Sequence, residues 1–224
     1  MKIYTAKRIQ FQISEELGST SALYIRPVKP KFLLVLAHGA GAGMEHPFME
    51  NLAQSLAHHK VATLRFNFAY MENGKKVPDR PKKALPAILA AIIQAKKLAK
   101  GFPILIGGKS FGGRMCSQLA ASEDLTDVKG IIYFGFPLHA IGKPSMDRAA
   151  HLSEIPQPQL FLQGTRDTLA EINLIKKVCK KLKKAKLEIF DGGDHSFKML
   201  KSTGISQEEV IEKLAKTAAD FSNG

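Results

Sequence analysis

The run Pro103-Ile104-Leu105-Ile106-Gly107-Gly108-Lys109-Ser110-Phe111-Gly112-Gly113 is a short apolar segment that stops in glycines set around one serine. An uninterrupted apolar stretch of this length predicts a buried strand, and Met115-Cys116-Ser117-Gln118-Leu119 beyond the turn predicts a helix. Gly108 and Gly112 stand two residues either side of Ser110, the G-x-S-x-G spacing of a nucleophile elbow. So sharp a strand-to-helix turn strains the serine backbone. Glycines beside it remove the Cβ atoms that would clash, and the hydroxyl is left exposed above the sheet.

With 18 glycines in 224 residues such a spacing also arises by chance, so the reading rests on two further loops. Gly164-Thr165-Arg166-Asp167 follows the apolar run Leu160-Phe161-Leu162, and Gly192-Gly193-Asp194-His195-Ser196-Phe197 follows Leu187-Glu188-Ile189-Phe190. Both sit where strands should end, giving the order Ser110, Asp167, His195, which is the order of α/β-hydrolases. The expected roles are Ser110 as nucleophile, His195 as base and Asp167 as the acid that orients it. Each role has a competitor: a plain turn serine at 110, a helix cap at 167, and Asp191 or Asp194 as the acid nearer His195 in sequence.

Length and composition agree with one domain over residues 1–224, since 224 residues bury a sizeable core and 45% hydrophobic with 24% charged residues is ordinary for a globular chain. Met1 to Arg8 lacks the apolar stretch of a signal peptide, and the longest apolar run, near Ala84 to Ile93, contains Pro86 and is too short to span a bilayer. A cytoplasmic protein without membrane insertion is expected. Cys116 and Cys179 are the two cysteines, which suggests neither a disulfide framework nor a cysteine metal cluster. His58-His59, His139 and His151 do not have ligand spacing either, so neither a metal nor a cofactor is expected.

The net charge of +13 raises the question of an acidic partner, and Lys176 to Lys186 is the densest basic stretch. Ile172, Ile175, Cys179 and Leu182 recur at helical steps through it, so the lysines read as the solvated face of an amphipathic helix over 169–186. No aromatic residues interleave the lysines, and no nucleic-acid partner is expected.

Short apolar runs alternate with helical patterns along the chain, the signature of a doubly wound, mostly parallel sheet flanked by helices. Arg8 to Ser14 and Ser21 to Arg26 predict an antiparallel edge, Phe32 to Leu36 the first central strand, Pro47 to His58 a helix and Val61 to Phe66 the next strand. A Lys/Pro-rich loop runs on through Pro81, before a helix carrying Leu85, Ile88, Leu89 and Ile92. Gly130 to Phe134 predicts another strand. Thr168 with Glu171, and Ser206 with Glu209, have capping-box spacing; the second box opens a final helix striped by Val210, Ile211, Leu214, Ala218 and Phe221. Only Pro137 to Pro158 separates two late strands, too little for a cap domain and enough for a loop with one helical turn carrying His139, Met146 and His151.

Nearly the whole chain resembles the compact dienelactone-hydrolase-like branch of the α/β-hydrolase fold. Ala37 to Met49, Arg65-Phe66-Asn67-Phe68, Gly107 to Met115 and Phe136-Pro137-Leu138-His139 resemble one subgroup in particular. It contains testis-expressed relatives, the hydrolase-like domain of a nonspecific-lethal histone acetyltransferase complex subunit, and many bacterial proteins. The resemblance implies acyl transfer by a serine hydrolase on small carboxylic esters, or a binding role on the same fold, or a thioesterase or peptidase with the same triad. Dienelactone hydrolases typically carry a cysteine nucleophile where this chain has Ser110, which argues against dienelactone as substrate. The expected oxyanion donors are the amides of Phe111 and Ala40, with Gly41 as runner-up, and His38 is expected to be structural. Gly39, Gly41 and Lys109 are candidate substrate contacts; Lys109 and Arg114 flank the nucleophile, fit either to hold an anionic group or to pair with acids such as Glu45.

Overall fold

The computed structural model describes residues 3–221; Met1 and Lys2 of the N-terminal stretch, and residues 222–224, lie outside the described residues. The chain runs β1 (Lys7–Ser14), β2 (Gly18–Ile25), β3 (Phe32–Ala37), α1 (Pro47–His58), β4 (Val61–Phe66), α2 (Ala69–Glu72) and α3 (Pro81–Ala99). It continues through β5 (Ile104–Lys109), α4 (Phe111–Ser122), β6 (Val128–Phe134), β7 (Gln159–Gly164), α5 (Ile172–Lys181), β8 (Ala185–Phe190) and α6 (Gln207–Phe221).

The strands form one eight-stranded sheet in the order β1-β2-β4-β3-β5-β6-β7-β8. β2 pairs antiparallel with β1 and β4, and every pairing from β4 to β8 is parallel. Parallel strands carry helices on both faces and read as continuous apolar runs, and β3, β4 and β5 are buried at every position. Alternate side chains feed two cores: Leu33, Val35 and Ala37 pack with α3 and α4 residues such as Ile88 and Met115, while Phe32, Leu34 and Leu36 pack with α1 and α6 residues such as Leu52 and Leu214.

The α6 capping box forms, with Glu209 N–H donating to Ser206 Oγ at 3.2 Å and Ser206 N–H donating to Glu209 Oε2 at 2.7 Å. The five predicted stripe residues of α6 are buried. Pro81 opens α3, where a missing N–H costs no intrahelical bond. Among the described residues no helix is long and apolar enough to cross a membrane.

Three expectations need correction. The predicted box at Thr168 and Glu171 does not open a helix: α5 begins at Ile172, because Asp167 Oδ1 takes the Leu169 amide at 2.8 Å and His139 Nε2 takes the Glu171 amide at 3.0 Å. The helix expected over 169–186 ends at Lys181, since Ala185, Leu187 and Ile189 alternate at strand period and join β8 to β7. The loop between β6 and β7 holds more than one turn, a 3₁₀ stretch over Asp147–Glu154, and still no cap domain.

Candidate active site

β5 lies between β3 and β6, so its C-terminal end opens in the middle of the sheet, where α/β sheets place ligand crevices. Ser110 follows β5 directly with φ 50° and ψ −113°, a conformation that strains any residue with a Cβ. The flanking glycines are required by space. A Cβ on Gly108 would lie 2.4 Å from Ala37 O, and one on Gly112 would lie 2.5 Å from the same oxygen and 2.6 Å from His38 O.

β7 delivers Asp167 and β8 delivers His195 to the same end of the sheet. His195 Nε2 lies 2.7 Å from Ser110 Oγ, and His195 Nδ1 lies 2.7 Å from Asp167 Oδ2. The Asp167 side chain is fully buried, whereas the His195 side chain is 22% exposed. Asp167 Oδ2 also accepts from Gln163 Nε2 at 2.5 Å, and Gln163 Oε1 in turn accepts from Phe136 N–H, so the carboxylate is held on both oxygens. The competing acids are engaged elsewhere. Asp191 accepts from Thr165 Oγ1 at 3.1 Å, and Asp194 Oδ1 accepts from the Ser196 and Lys198 amides at 2.8 and 2.9 Å, tying the turn that carries His195.

The loop after β3 is shaped from below by His38. Its Nε2 accepts from Phe68 N–H at 3.1 Å, which leaves the proton on Nδ1 to donate to Gly39 O at 2.8 Å. Burial pushes this imidazole down to about 4, with the bond to Gly39 acting in the opposite sense, so it is a neutral structural histidine at neutral pH. Gly41 N–H donates to Tyr70 Oη at 3.1 Å, and Met44 is held at both main-chain ends, by Asn67 Oδ1 at 2.9 Å and by buried Arg65 Nη1 at 3.1 Å. Burial holds the Tyr70 phenol above its ordinary value, and Asp79 adds to the rise.

A cleft of about 360 Å³ lies over these groups, lined by Gly39, Ala40, Ala42, His46, Phe48, Met49, Lys109, Ser110, Leu169, His195 and Ser196. Its wall is apolar through Ala42, Phe48, Met49 and Leu169, and the Phe48 ring stacks on Phe197 with centroids 6.2 Å apart. Phe111 follows Ser110 as the first residue of α4, and Ala40 on the loop after β3 lines the cleft with Ser110. Gly41 is placed differently from the expectation: it does not line the cleft, and its amide is occupied by Tyr70. Gly39 lines the cleft, as does Lys109, but the Lys109 ammonium is taken by His195 O at 2.6 Å. Glu45 pairs with Arg8, and Arg114 does not line the cleft. Tyr70 is the residue that sequence reasoning missed, since four-residue α2 has no periodicity to announce it.

Cys116, buried behind the elbow, has Sγ 3.5 Å from Gly107 O, and burial pushes both this thiol and that of Cys179 up to about 12. Neither is a nucleophile at neutral pH. Among the described residues no cluster of three His, Cys, Asp or Glu side chains is arranged to hold a metal ion.

Residues 30–223 match the family model for the alpha/beta hydrolase domain. The chain belongs to the α/β-hydrolase family. Solved structures similar to this α/β-hydrolase include an alpha-beta serine hydrolase homologue from Coxiella burnetii, with 18% identity, TM-score 0.75, and coverage of 97% of this chain and 99% of that one. Dienelactone hydrolase from Anabaena variabilis matches with 16% identity and TM-score 0.75 over 97% of each chain. Est1E from Butyrivibrio proteoclasticus, solved with ferulic acid bound, matches with 20% identity and TM-score 0.71 over 89% of this chain and 94% of that one.

Proposed function

We propose that this α/β-hydrolase is a single catalytic domain that hydrolyses small carboxylic esters through Ser110, His195 and Asp167. The observation that carries the reading is the unbroken hydrogen-bond chain from Asp167 Oδ2 through both ring nitrogens of His195 to Ser110 Oγ beside an open cleft. Ser110 Oγ attacks the ester carbonyl as His195 Nε2 takes its proton, and Asp167 stabilises the imidazolium. The amides of Phe111 and Ala40 receive the oxyanion; the engagement of Gly41 N–H by Tyr70 favours Ala40 over Gly41 as the second donor. Collapse breaks the C–O bond, the leaving alkoxide takes the proton from His195, and water, deprotonated by the same base, releases the acid and regenerates Ser110.

The apolar wall and modest volume suit a short or aromatic acyl group, and ferulic acid bound to Est1E shows an aryl acid in a related fold. The sequence resemblance to the testis-expressed and nonspecific-lethal subgroup supplies the second reading, a binding role. The two free cysteines suit a reducing compartment, and we place the action in the cytoplasm.

Fluorophosphonate labelling of wild type and Ser110→Ala tests the proposal, followed by p-nitrophenyl esters of increasing acyl length and matched thioesters and amides. Labelling lost in the variant, with turnover highest on short or aryl esters, is the expected result. Folded protein that neither labels nor turns over any ester overturns it in favour of binding. Faster turnover of thioesters or amides keeps the mechanism and replaces the substrate class.

A further inference from the structure

Lys109 is the residue immediately before the nucleophile, and it is 9% exposed. Its Nζ donates to the main-chain oxygen of His195 at 2.6 Å and lies 5.7 Å from the centroid of the Phe197 ring, two residues further on. Gly135, at φ +74°, leaves the space this arrangement needs: a Cβ there would come within 3.2 Å of Lys109 Nζ and 3.7 Å of Asp167 Oδ2. Among the described residues the ammonium has no carboxylate within ion-pair distance, although Asp167 and Asp194 both attract it. A methionine of similar length would fill this place without burying a cation, and burying one with so few partners is costly.

We infer that Lys109 is a positioning residue for the base: its ammonium fastens the loop carrying His195 to the end of β5, one residue before Ser110. The inference rests on the hydrolase reading of that site. Lys109 acts through His195 and the carboxylate behind it, so its removal should lower kcat with little effect on KM.

The charged groups facing Lys109 are Asp167 on the loop after β7, and Asp194 and His195 on the loop after β8; Gly135 brings none from the loop after β6. Burial pushes the Lys109 ammonium from 10.5 down to about 8, with the two carboxylates pulling it part of the way back. Above that pH the lysine is neutral and donates more weakly, which weakens the fastening. The effect on stability has the opposite sign. Between about 8 and 10.5 the unfolded chain binds the extra proton, so folding from this group gains as pH rises, and alkaline loss of activity is not unfolding.

The test compares pH profiles of kcat and KM for wild type, Lys109→Met and Lys109→Arg, with thermal melts of each. Wild type should lose activity with a midpoint near pH 8. Lys109→Met should have kcat lowered by ~10- to 100-fold at neutral pH, KM near wild type, and no such alkaline limb. Lys109→Arg should recover part of kcat, also without the limb. A Lys109→Met protein that melts normally and keeps the wild-type kcat or the wild-type limb overturns the inference.

A second measurement needs neither a variant nor turnover. The downfield proton resonance of the His195 Nδ1–H bond in wild type should shift or broaden as pH passes about 8, and a resonance unmoved to about pH 10 overturns the inference. Failure of the hydrolase reading looks different, because the protein then neither labels nor turns over ester at any pH while this resonance still reports on Lys109.

Discussion

Two loops at the same end of the sheet each carry a histidine, and the two histidines serve opposite ends. In the loop after β3, His38 is fully buried and both ring nitrogens are bonded to main chain, Gly39 O and Phe68 N–H. There the imidazole orders the backbone. In the loop after β8 the backbone orders the imidazole: Asp194 ties the turn through two amides, Lys109 holds the His195 carbonyl, and the ring is left to meet a carboxylate and a hydroxyl. The atoms that face a histidine's nitrogens decide what it can do: a carboxylate and a hydroxyl suit the base role proposed for His195, and main-chain partners on both sides make His38 part of the scaffold.

The sharpest way to break this contrast is to delete each ring. His195→Ala should lower kcat by ~10⁴-fold or more while the thermal midpoint stays near wild type, because the proposed mechanism makes this ring the base and it sits at the cleft surface. His38→Ala should instead destabilise by about 2–4 kcal/mol in denaturant titration, since it leaves a cavity and two buried main-chain groups unpaired. If His38→Ala left stability intact, or His195→Ala unfolded the chain, the contrast would collapse.

A smaller effect separates them by pH. His38 is pushed below its ordinary 6.5 to about 4, so between these values the unfolded chain binds more protons and stability is lost as pH falls through the window. Below about 4 both states are protonated and this contribution levels off. Urea titrations across the window should show the slope in wild type and a flatter line in His38→Gln. The smallest effect expected is at Tyr70→Phe, which removes the acceptor for Gly41 N–H: kcat should fall about 3- to 10-fold, equivalent to about 1 kcal/mol, with KM and melting little changed. An unchanged kcat would show that the loop after β3 holds its shape through His38, Asn67 and Arg65 without Tyr70.

Much of the architecture was legible because its causes are local. Gly108 and Gly112 are glycines for want of space around an adjacent turn, and a buried parallel strand such as Phe32 to Ala37 announces itself by continuous apolar residues. The order of Ser110, Asp167 and His195 was legible for the same reason, each following a strand that reads clearly. What escaped depends on contacts distant in sequence. Glu171 is held by His139, 32 residues earlier, so spacing alone misplaced the start of α5. Tyr70 reaches Gly41 across 29 residues from a helix of one turn. The surroundings of Lys109 come from a loop 86 residues later, and no pattern at position 109 distinguishes a substrate contact from a clamp.

The ends of the sheet give the surplus of positive charge a place. Among the described residues β1 and β8 each have one long side without a neighbouring strand, and a bare strand side offers unpaired amides and carbonyls to any other chain. Lys7 and Arg8 sit on β1, Lys186 on β8, and Lys183 and Lys184 just before it, all of them exposed. A strand of another chain laid along either border would meet these cations, Arg8 in its pair with Glu45. Charged side chains along a sheet border disfavour edge-to-edge pairing, a use for cations that line no part of the cleft.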